Sequence, residues 1–366
     1  MHKKIKIYIF HPYSSIGGAD TSLSRLMNNL NNKDYNIDFI SLNNHKLNLK
    51  KKNKIKIIKI KSSRTIFSIL KIRKYLINDK LKNYDKYIFF SNQNFANIIS
   101  FVILFKLNWI KNILIERNHL DEFKYIKNIK NFIIKILIKV LYKSASRVIG
   151  VSKRLSKDLS NYTGAQVRTI YDPAYDKEFK FFSKKKIFIK SLKKKIILNI
   201  ARLEEQKDHL TLLKGFKESL KKIKSSLIII GYGSKEKEIN KYIKENNLTK
   251  DVIIIKNTNN PYPFLKRADL FVLTSLYEGF GIVLVEAAAH RIPIISTNCN
   301  SGPSEILVNG KGGDLIKIKD YKTLSKRIIK NLNKKNIKKI NVAHKNIKNY
   351  STKNIINQYD KLFKKI

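Results

Sequence analysis

Strand-length apolar runs alternate with helix-length amphipathic stretches along almost the whole chain. That rhythm constrains the fold more than any other feature. "KIKIYIF" (4–10) leads into "GGADTSLSRLMNNL" (17–30), a glycine turn feeding a helix, and then into "NIDFISL" (36–42). "KIKIIKI" (54–60), "KYIFFS" (86–91), "NILIER" (112–117) and "RVIGVS" (147–152) continue the strand series, with helical segments between them. Strands joined through helices run parallel, and right-handed crossovers put the helices on both faces of the sheet.

The stretch "YDPAYDKEFKFFSKKK" (171–186) breaks the rhythm with Pro173 and a charged run, so a domain boundary is expected there. A second series follows: strands at 195–202, 226–233, 251–257, 270–275 and 293–297, helices at 208–223 and 235–247, and a lysine-rich helical tail from about 321. The sequence thus predicts an α/β protein of two doubly wound, Rossmann-like parallel-sheet domains, residues 1–173 and 174–345. Residues 346–366 are read as a C-terminal helix able to cross back to the first domain. Open α/β sheets bind ligands at the carboxyl ends of their strands, so two facing sheets are expected to share a central cleft.

Composition narrows the class further. A chain of 366 residues with 43% hydrophobic content is long enough for two cores. The lone cysteine, Cys299, rules out an intramolecular disulfide and fits a reducing, cytoplasmic setting. The N-terminus lacks the apolar core and cleavage site of a secretory signal, and "FANIISFVILF" (95–105) is too short to span a bilayer. The net charge of +49 attracts polyanions. The lysines are spread along the chain, with no RNA-binding aromatic signature and no zinc spacing, so nucleic acid is not expected as a partner. An anionic membrane surface and compositional drift both remain open.

Chemistry concentrates in "SLYEGFGIVLVEAAAHRIPIISTNCNSGPSEIL" (275–307). Glu278 follows a strand, and Glu286 lies one to two turns inside the next helix. A continuous helix would separate their carboxylates by roughly 12 Å, too far for a retaining glycosidase pair but suited to two hydroxyl-bearing ends of one long ligand. Between them the amides of Gly279, Phe280, Gly281 and Ile282 open a helix and form an anion site. A diphosphate flanked by two sugar rings fits that order. In "NIARLEEQKDHL", Arg202 at a strand end and Lys207 at the next helix start supply cations to it. Gly231 and Gly233 in "IIIGYGS" allow either close approach to a base and ribose or a plain tight turn. Gly17 and Gly18 offer either a second set of amide donors to the diphosphate or a simple turn. In "NILIERNHLDEF", His119 follows a strand beside Arg117 and Asn118 and is the first domain's catalytic candidate.

These residues resemble the signature of retaining glycosyltransferases of the GT-B fold, family 4. Glu278 and Glu286 match the family's E-x7-E motif. Ala201, Arg202, Leu203 and Lys207 approximate its "GRLxxxK" motif, and Gly17 and Gly18 match its glycine loop. The resemblance covers essentially the whole chain. It implies that Glu278 contacts the donor sugar and helps organise its departure, that Glu286 holds the ribose hydroxyls, and that Arg202 and Lys207 neutralise the leaving diphosphate. His119 would contact donor sugar or acceptor. No divalent metal and no cofactor are implied, in keeping with the absence of a D-x-D triplet. The chain departs from the family pattern at Ala201, His290, Arg291 and Asp172.

The implied partners are a nucleotide diphosphate sugar donor, UDP-linked, and a saccharide or lipid-linked glycan acceptor of the cell envelope. An epimerase or phosphorylase on a similar fold, a non-catalytic sugar-nucleotide binder and a basic membrane-adhering protein are the alternatives. "FKYIKNIKNFIIKILIKVLYK" (123–143) bears on the last. On a helical wheel Ile126, Ile129, Ile133, Ile136, Leu137, Val140 and Leu141 share one face, opposite Lys124, Lys127, Lys135, Lys139 and Lys143. Such a helix can pack its apolar face on the sheet or lie on the inner face of an anionic bilayer, which would make the protein peripheral.

Overall fold

The computed structural model describes residues 4–12, 17–30, 33–42, 47, 49, 55–62, 64–125, 128–176, 195–256, 258 and 260–366. Expectations for residues 177–186, Ile126 and Lys127 lie outside them. The chain divides into two compact units, Met1–Pro173 with Thr352–Ile366, and Ala174–Ser351.

The first unit is built on seven parallel strands. They are β1 (Ile5–Phe10), β2 (Tyr35–Leu42), β3 (Lys56–Ile60), β4 (Lys86–Asn92), β5 (Ile110–Glu116), β6 (Arg147–Gly150) and β7 (Val167–Thr169). Their order is β3-β2-β1-β4-β5-β6-β7. Every residue of β1 is buried, with Ile7 opposite Ile37 on one side and Ile88 on the other. Burial on both faces is why central strands such as β1 and β4 read as near-continuous apolar runs. Helices α1 (Gly18–Asn29), α2 (Ile69–Asp79), α3 (Asn94–Ile103), α4 (Glu122–Tyr125), α5 (Ile129–Leu141) and α6 (Lys153–Thr163) connect them.

In the second unit the strands are β8 (Ile196–Ile200), β9 (Ser226–Ile230), β10 (Val252–Ile255), β11 (Leu270–Leu273), β12 (Ile294–Thr297) and β13 (Asp314–Ile316). They form a parallel sheet in the order β10-β9-β8-β11-β12-β13. Its helices are α7 (His209–Leu220), α8 (Glu236–Glu245), α9 (Tyr262–Arg267), α10 (Ile282–Ala289), α11 (Pro303–Ile306), α12 (Tyr321–Asn333) and α13 (Ile337–Asn346). Phe216, Leu324 and Ile328, all fully buried, join α7 and α12 to this sheet's core. The final helix, α14 (Thr352–Lys365), belongs to the first unit. There it contacts α1, and its Phe363 and Tyr359 pack edge-on against Phe90.

Both sheets are doubly wound and parallel, as the alternation predicts. The short strands β7 and β13 escape the sequence reading because three residues carry no usable period. The helix at 129–141 sorts its residues differently from the wheel. Ile134 and Ile138 are buried against the sheet, while Ile129, Ile133, Ile136 and Val140 are exposed. The helix is apolar almost all round, so its pattern leaves the buried arc undecided, and the sheet selects the arc opposite Ile129.

A buried cation sits inside the first sheet. Lys6 on β1 is 2% exposed, and its Nζ lies 2.7 Å from Asp38 Oδ2 and 3.3 Å from Asp79 Oδ2. Tyr8 and Tyr75 donate their hydroxyls to Asp79 and Asp38. Removing one partner of a buried ion pair strands the other charges in a medium that solvates them poorly. Lys6→Met is therefore expected to destabilise the first unit by about 3–5 kcal/mol. Urea unfolding followed through Trp109, which packs on Tyr87 in this unit, checks the loss.

The second unit has its own acid-sensitive element. His209 opens α7 with both ring nitrogens buried and unpartnered. Burial, reinforced by the charge of Lys207, pushes its pKa down to about 4. The unfolded chain takes up this proton near pH 6.5, so the stability held by neutral His209 is complete above that pH. It is lost as pH falls from 6.5 toward 4, by about 3 kcal/mol in all. His209→Leu should flatten stability over that window, measured by denaturation at stepped pH.

Candidate functional site

Strand order decides where the second unit can bind. The sheet grows one way from β8 to β9 and the other way from β8 to β11. Connections leaving two adjacent strands in opposite directions open a crevice at their carboxyl ends. Ala201 and Arg202 follow β8 directly, and the turn leading to Glu278 follows β11. Two segments far apart in sequence are thereby set side by side.

Hydrogen bonds join them. Thr274 donates its hydroxyl to Lys207 O at 2.9 Å, Leu276 N–H bonds Gln206 O at 2.8 Å, and Gln206 Nε2 donates to Tyr277 O at 2.8 Å. The outcome is a contact between Lys207 Nζ and Glu278 Oε1 at 2.5 Å, with Ser275 Oγ donating to the same oxygen at 2.6 Å. Glu278 is only 6% exposed, while Lys207 keeps part of its surface accessible. Arg202 is exposed beside them, its Nη2 donating to Gln206 Oε1 at 3.3 Å.

The chain does not run as one helix from Glu278 to Glu286. Glu278, Gly279 and Phe280 form a turn, and α10 begins at Ile282 after Gly281, which stands at φ +94° as its N-cap. The separation expected for a continuous helix therefore does not apply. Gly281 has no side chain to cap the helix, and the positive end of α10 lies three residues beyond Glu278. Glu286 is buried one turn into α10 and takes a hydrogen bond from Tyr262 at 3.3 Å. Tyr262 in turn stacks on His290. The two glutamates thus have separate partners at either end of the same turn and helix.

A second turn supports the first. Ser301 Oγ donates to Glu278 O at 2.5 Å, and Thr297 Oγ1 donates to Ser275 O at 2.6 Å. Gly302 stands at φ +87°, and a Cβ there would fall 1.9 Å from Phe280 O. Ser275, Thr297, Ser301, Gly302, Gln206 and Thr274 are the residues that reading the sequence for charge passes over.

Gly231 and Gly233 pack on backbone. A Cβ at either would meet Ala201 O at 2.0 Å or Leu203 O at 2.4 Å, so both let the loops after β8 and β9 lie together. Arg291, where the resembled family has glycine, adopts φ +56°. Cys299 is buried near Glu278, and burial pushes its thiol pKa up.

In the first unit Gly17 caps α1, and Gly18 is its first residue. The Gly17 N–H goes to Asp20 Oδ2 at 3.0 Å, so this amide has an acceptor within the chain. Asp20 is held in turn by His11, His11 by Asn92, and Asn92 by Arg117. Arg117 also pairs with Asp172, where the resembled family often has asparagine. His119 is 4% exposed. Its Nε2 lies 2.9 Å from Asp158 Oδ2, and its Nδ1 accepts the Asp121 N–H at 3.2 Å. Both nitrogens are engaged, which makes His119 a pin between the loop after β5 and α6. Among the described residues no three His, Cys, Asp or Glu side chains converge as a metal site would require.

An uncharacterized glycosyltransferase of Methanocaldococcus jannaschii is 29% identical over 263 residues, 66% of this chain and 62% of that protein. The N-acetylgalactosamine-N,N'-diacetylbacillosaminyl-diphospho-undecaprenol 4-alpha-N-acetylgalactosaminyltransferase of Campylobacter jejuni is 30% identical over 204 residues, 55% of this chain and 54% of that one. The chain thus matches little more than half the length of these two relatives. The Anabaena protein HepE, solved with UDP and glucose, superposes with a TM-score of 0.80 at 16% identity over the full length of both chains, and so shares the GT-B fold. Residues 180–353 match the family described as glycosyl transferases group 1. That segment, which holds both glutamates, Arg202 and Lys207, is what this chain shares with the glycosyl transferases group 1 family.

Proposed function

We propose that this protein is a retaining glycosyltransferase. It moves a hexose or N-acetylhexosamine from a UDP-linked sugar to a saccharide acceptor of an envelope glycan or lipid-linked oligosaccharide, at the cytoplasmic face of the membrane. The observation that carries the reading is the meeting of Lys207 and Glu278 at the crevice between β8 and β11. A cation touching a carboxylate that lies a few residues before a helix N-terminus suits a ligand with phosphates at one end and hydroxyls at the other.

The chemistry follows from charge. As the bond from the anomeric carbon to phosphate breaks, negative charge grows on the leaving diphosphate. In this reading Arg202, Lys207 and the first turn of α10 stabilise it, and preorganised donors need no rearrangement when that charge develops. Glu278 fixes the Lys207 ammonium and serves as acceptor for a donor-sugar hydroxyl. Glu286, further along α10, takes the ribose hydroxyls. The acceptor hydroxyl attacks from the face the diphosphate leaves, which preserves configuration, and its proton passes to the departing phosphate oxygen. The UDP assignment draws on the nucleotide held by the Anabaena protein, and the lipid-linked acceptor on the name of the Campylobacter relative.

Glu278→Gln keeps the size of the side chain and removes its charge. It is expected to lower kcat/KM for sugar transfer by about a hundredfold or more while leaving the melting temperature near wild type. Full activity in this variant, or no thermal stabilisation by any member of a nucleotide-sugar panel, would reject the proposal. Gly302→Ala, which forces a methyl against Phe280 O, should weaken UDP-sugar binding about tenfold by displacing the Glu278 turn; calorimetric titration measures it.

A further inference from the structure

Helices α2, α3, α5 and α6 follow one another in contact across one face of the first unit's sheet. The outward side of three of them is apolar. Ile66, Phe67, Leu70, Ile77 and Leu81 are exposed along α2 and its flanking turns. Val102 and Phe105 are exposed at the end of α3, and Ile129, Phe132, Ile133, Ile136 and Val140 on α5. Among the described residues, the large exposed hydrophobics outside this row are Ile57, Tyr125, Tyr232 and Ile337. The second unit holds just two of them.

Charge on the row has one sign. Lys71, Lys74 and Lys80 are exposed along and just after α2, and Lys130, Lys139 and Lys143 along and just after α5. The three helices contain a single acid, Asp79, which is buried against Lys6. Compositional drift toward lysine and isoleucine does not account for this sorting. Helix α12 is just as rich in lysine, yet it buries Leu324, Ile328 and Leu332 and exposes Lys322, Lys326 and Lys330. The same residue types are segregated inward there and outward on the row.

We infer that the outer surface of α2, α3 and α5 docks on an anionic lipid surface, with its isoleucine, leucine and phenylalanine side chains below the headgroups and its lysines among them. An apolar ridge of this breadth is disfavoured in water unless something covers it. Lipid matches both halves of the pattern: acyl chains accept the apolar side chains, and phosphate headgroups attract the lysines. A nucleic acid would satisfy the lysines and leave the aliphatic side chains wet. The inference goes beyond the transferase reading and does not depend on it.

The test is co-sedimentation of the full chain with phosphatidylcholine vesicles, with and without phosphatidylglycerol, beside binding to heparin. The wild type should bind phosphatidylglycerol vesicles and leave pure phosphatidylcholine largely unbound. I129S/F132S/V140S alters exposed side chains alone and should lower vesicle affinity about tenfold or more with an unchanged melting temperature. F132S alone should show a smaller loss in the same direction. K130Q/K139Q/K143Q should weaken binding at low salt and reduce its salt dependence. Glu278→Gln should bind vesicles like the wild type, so failure of the catalytic reading would leave this test intact. Undiminished vesicle binding by the apolar variants, equal binding of neutral vesicles, or parallel losses for heparin and vesicles across both sets would overturn the inference.

Discussion

The reversal of strand order between β8 and β11 is the constraint on which the candidate site depends. Crossovers leaving these two neighbours in opposite directions bring the segment after β8 and the segment after β11 together at their carboxyl ends. Lys207 and Glu278 are 71 positions apart in sequence and touch because their strands are adjacent. The pair is worth something as a binding element only because it is held at a strand end, beside a helix start, with part of the ammonium open to a ligand.

Holding it there takes a layer of uncharged groups. Thr274, Gln206, Ser275, Thr297 and Ser301 each bond main-chain oxygen or the Glu278 carboxylate itself, and Gly302 lets a second turn lie against the first. A carboxylate buried without such support would favour its neutral form or draw in water. The same turns leave the lysine one carboxylate partner at 2.5 Å and fix its position before any ligand arrives. Under the proposed function, preorganisation of this kind is how a site of few charges would act on a leaving group that carries several.

In the first unit charge is handled differently. Lys6, Asp38 and Asp79 neutralise one another inside the sheet, and a chain of bonds runs from Asp20 through His11, Asn92 and Arg117 to Asp172. These groups fix loops in place. Exposed lysines line the exteriors of helices α2 and α5, where they are interleaved with exposed apolar side chains. Charge is thus found in three separate settings in one molecule: paired inside the first sheet, paired at a strand-end crevice, and on an apolar helix surface.

The sequence by itself determined the architecture, because hydrophobic period is a local property and alternating strand and helix periods admit few folds. It also marked Glu278, Glu286, Arg202 and Lys207, since charges in apolar surroundings stand out along a chain. Tertiary structure alone decided what those charges touch. No local signal pairs Lys207 with Glu278, occupies both nitrogens of His119, turns Gly231 and Gly233 into spacers between loops, or chooses which arc of the apolar α5 faces the sheet. Each of these depends on strand order and on packing between segments distant in sequence, and residue spacing along the chain carries neither.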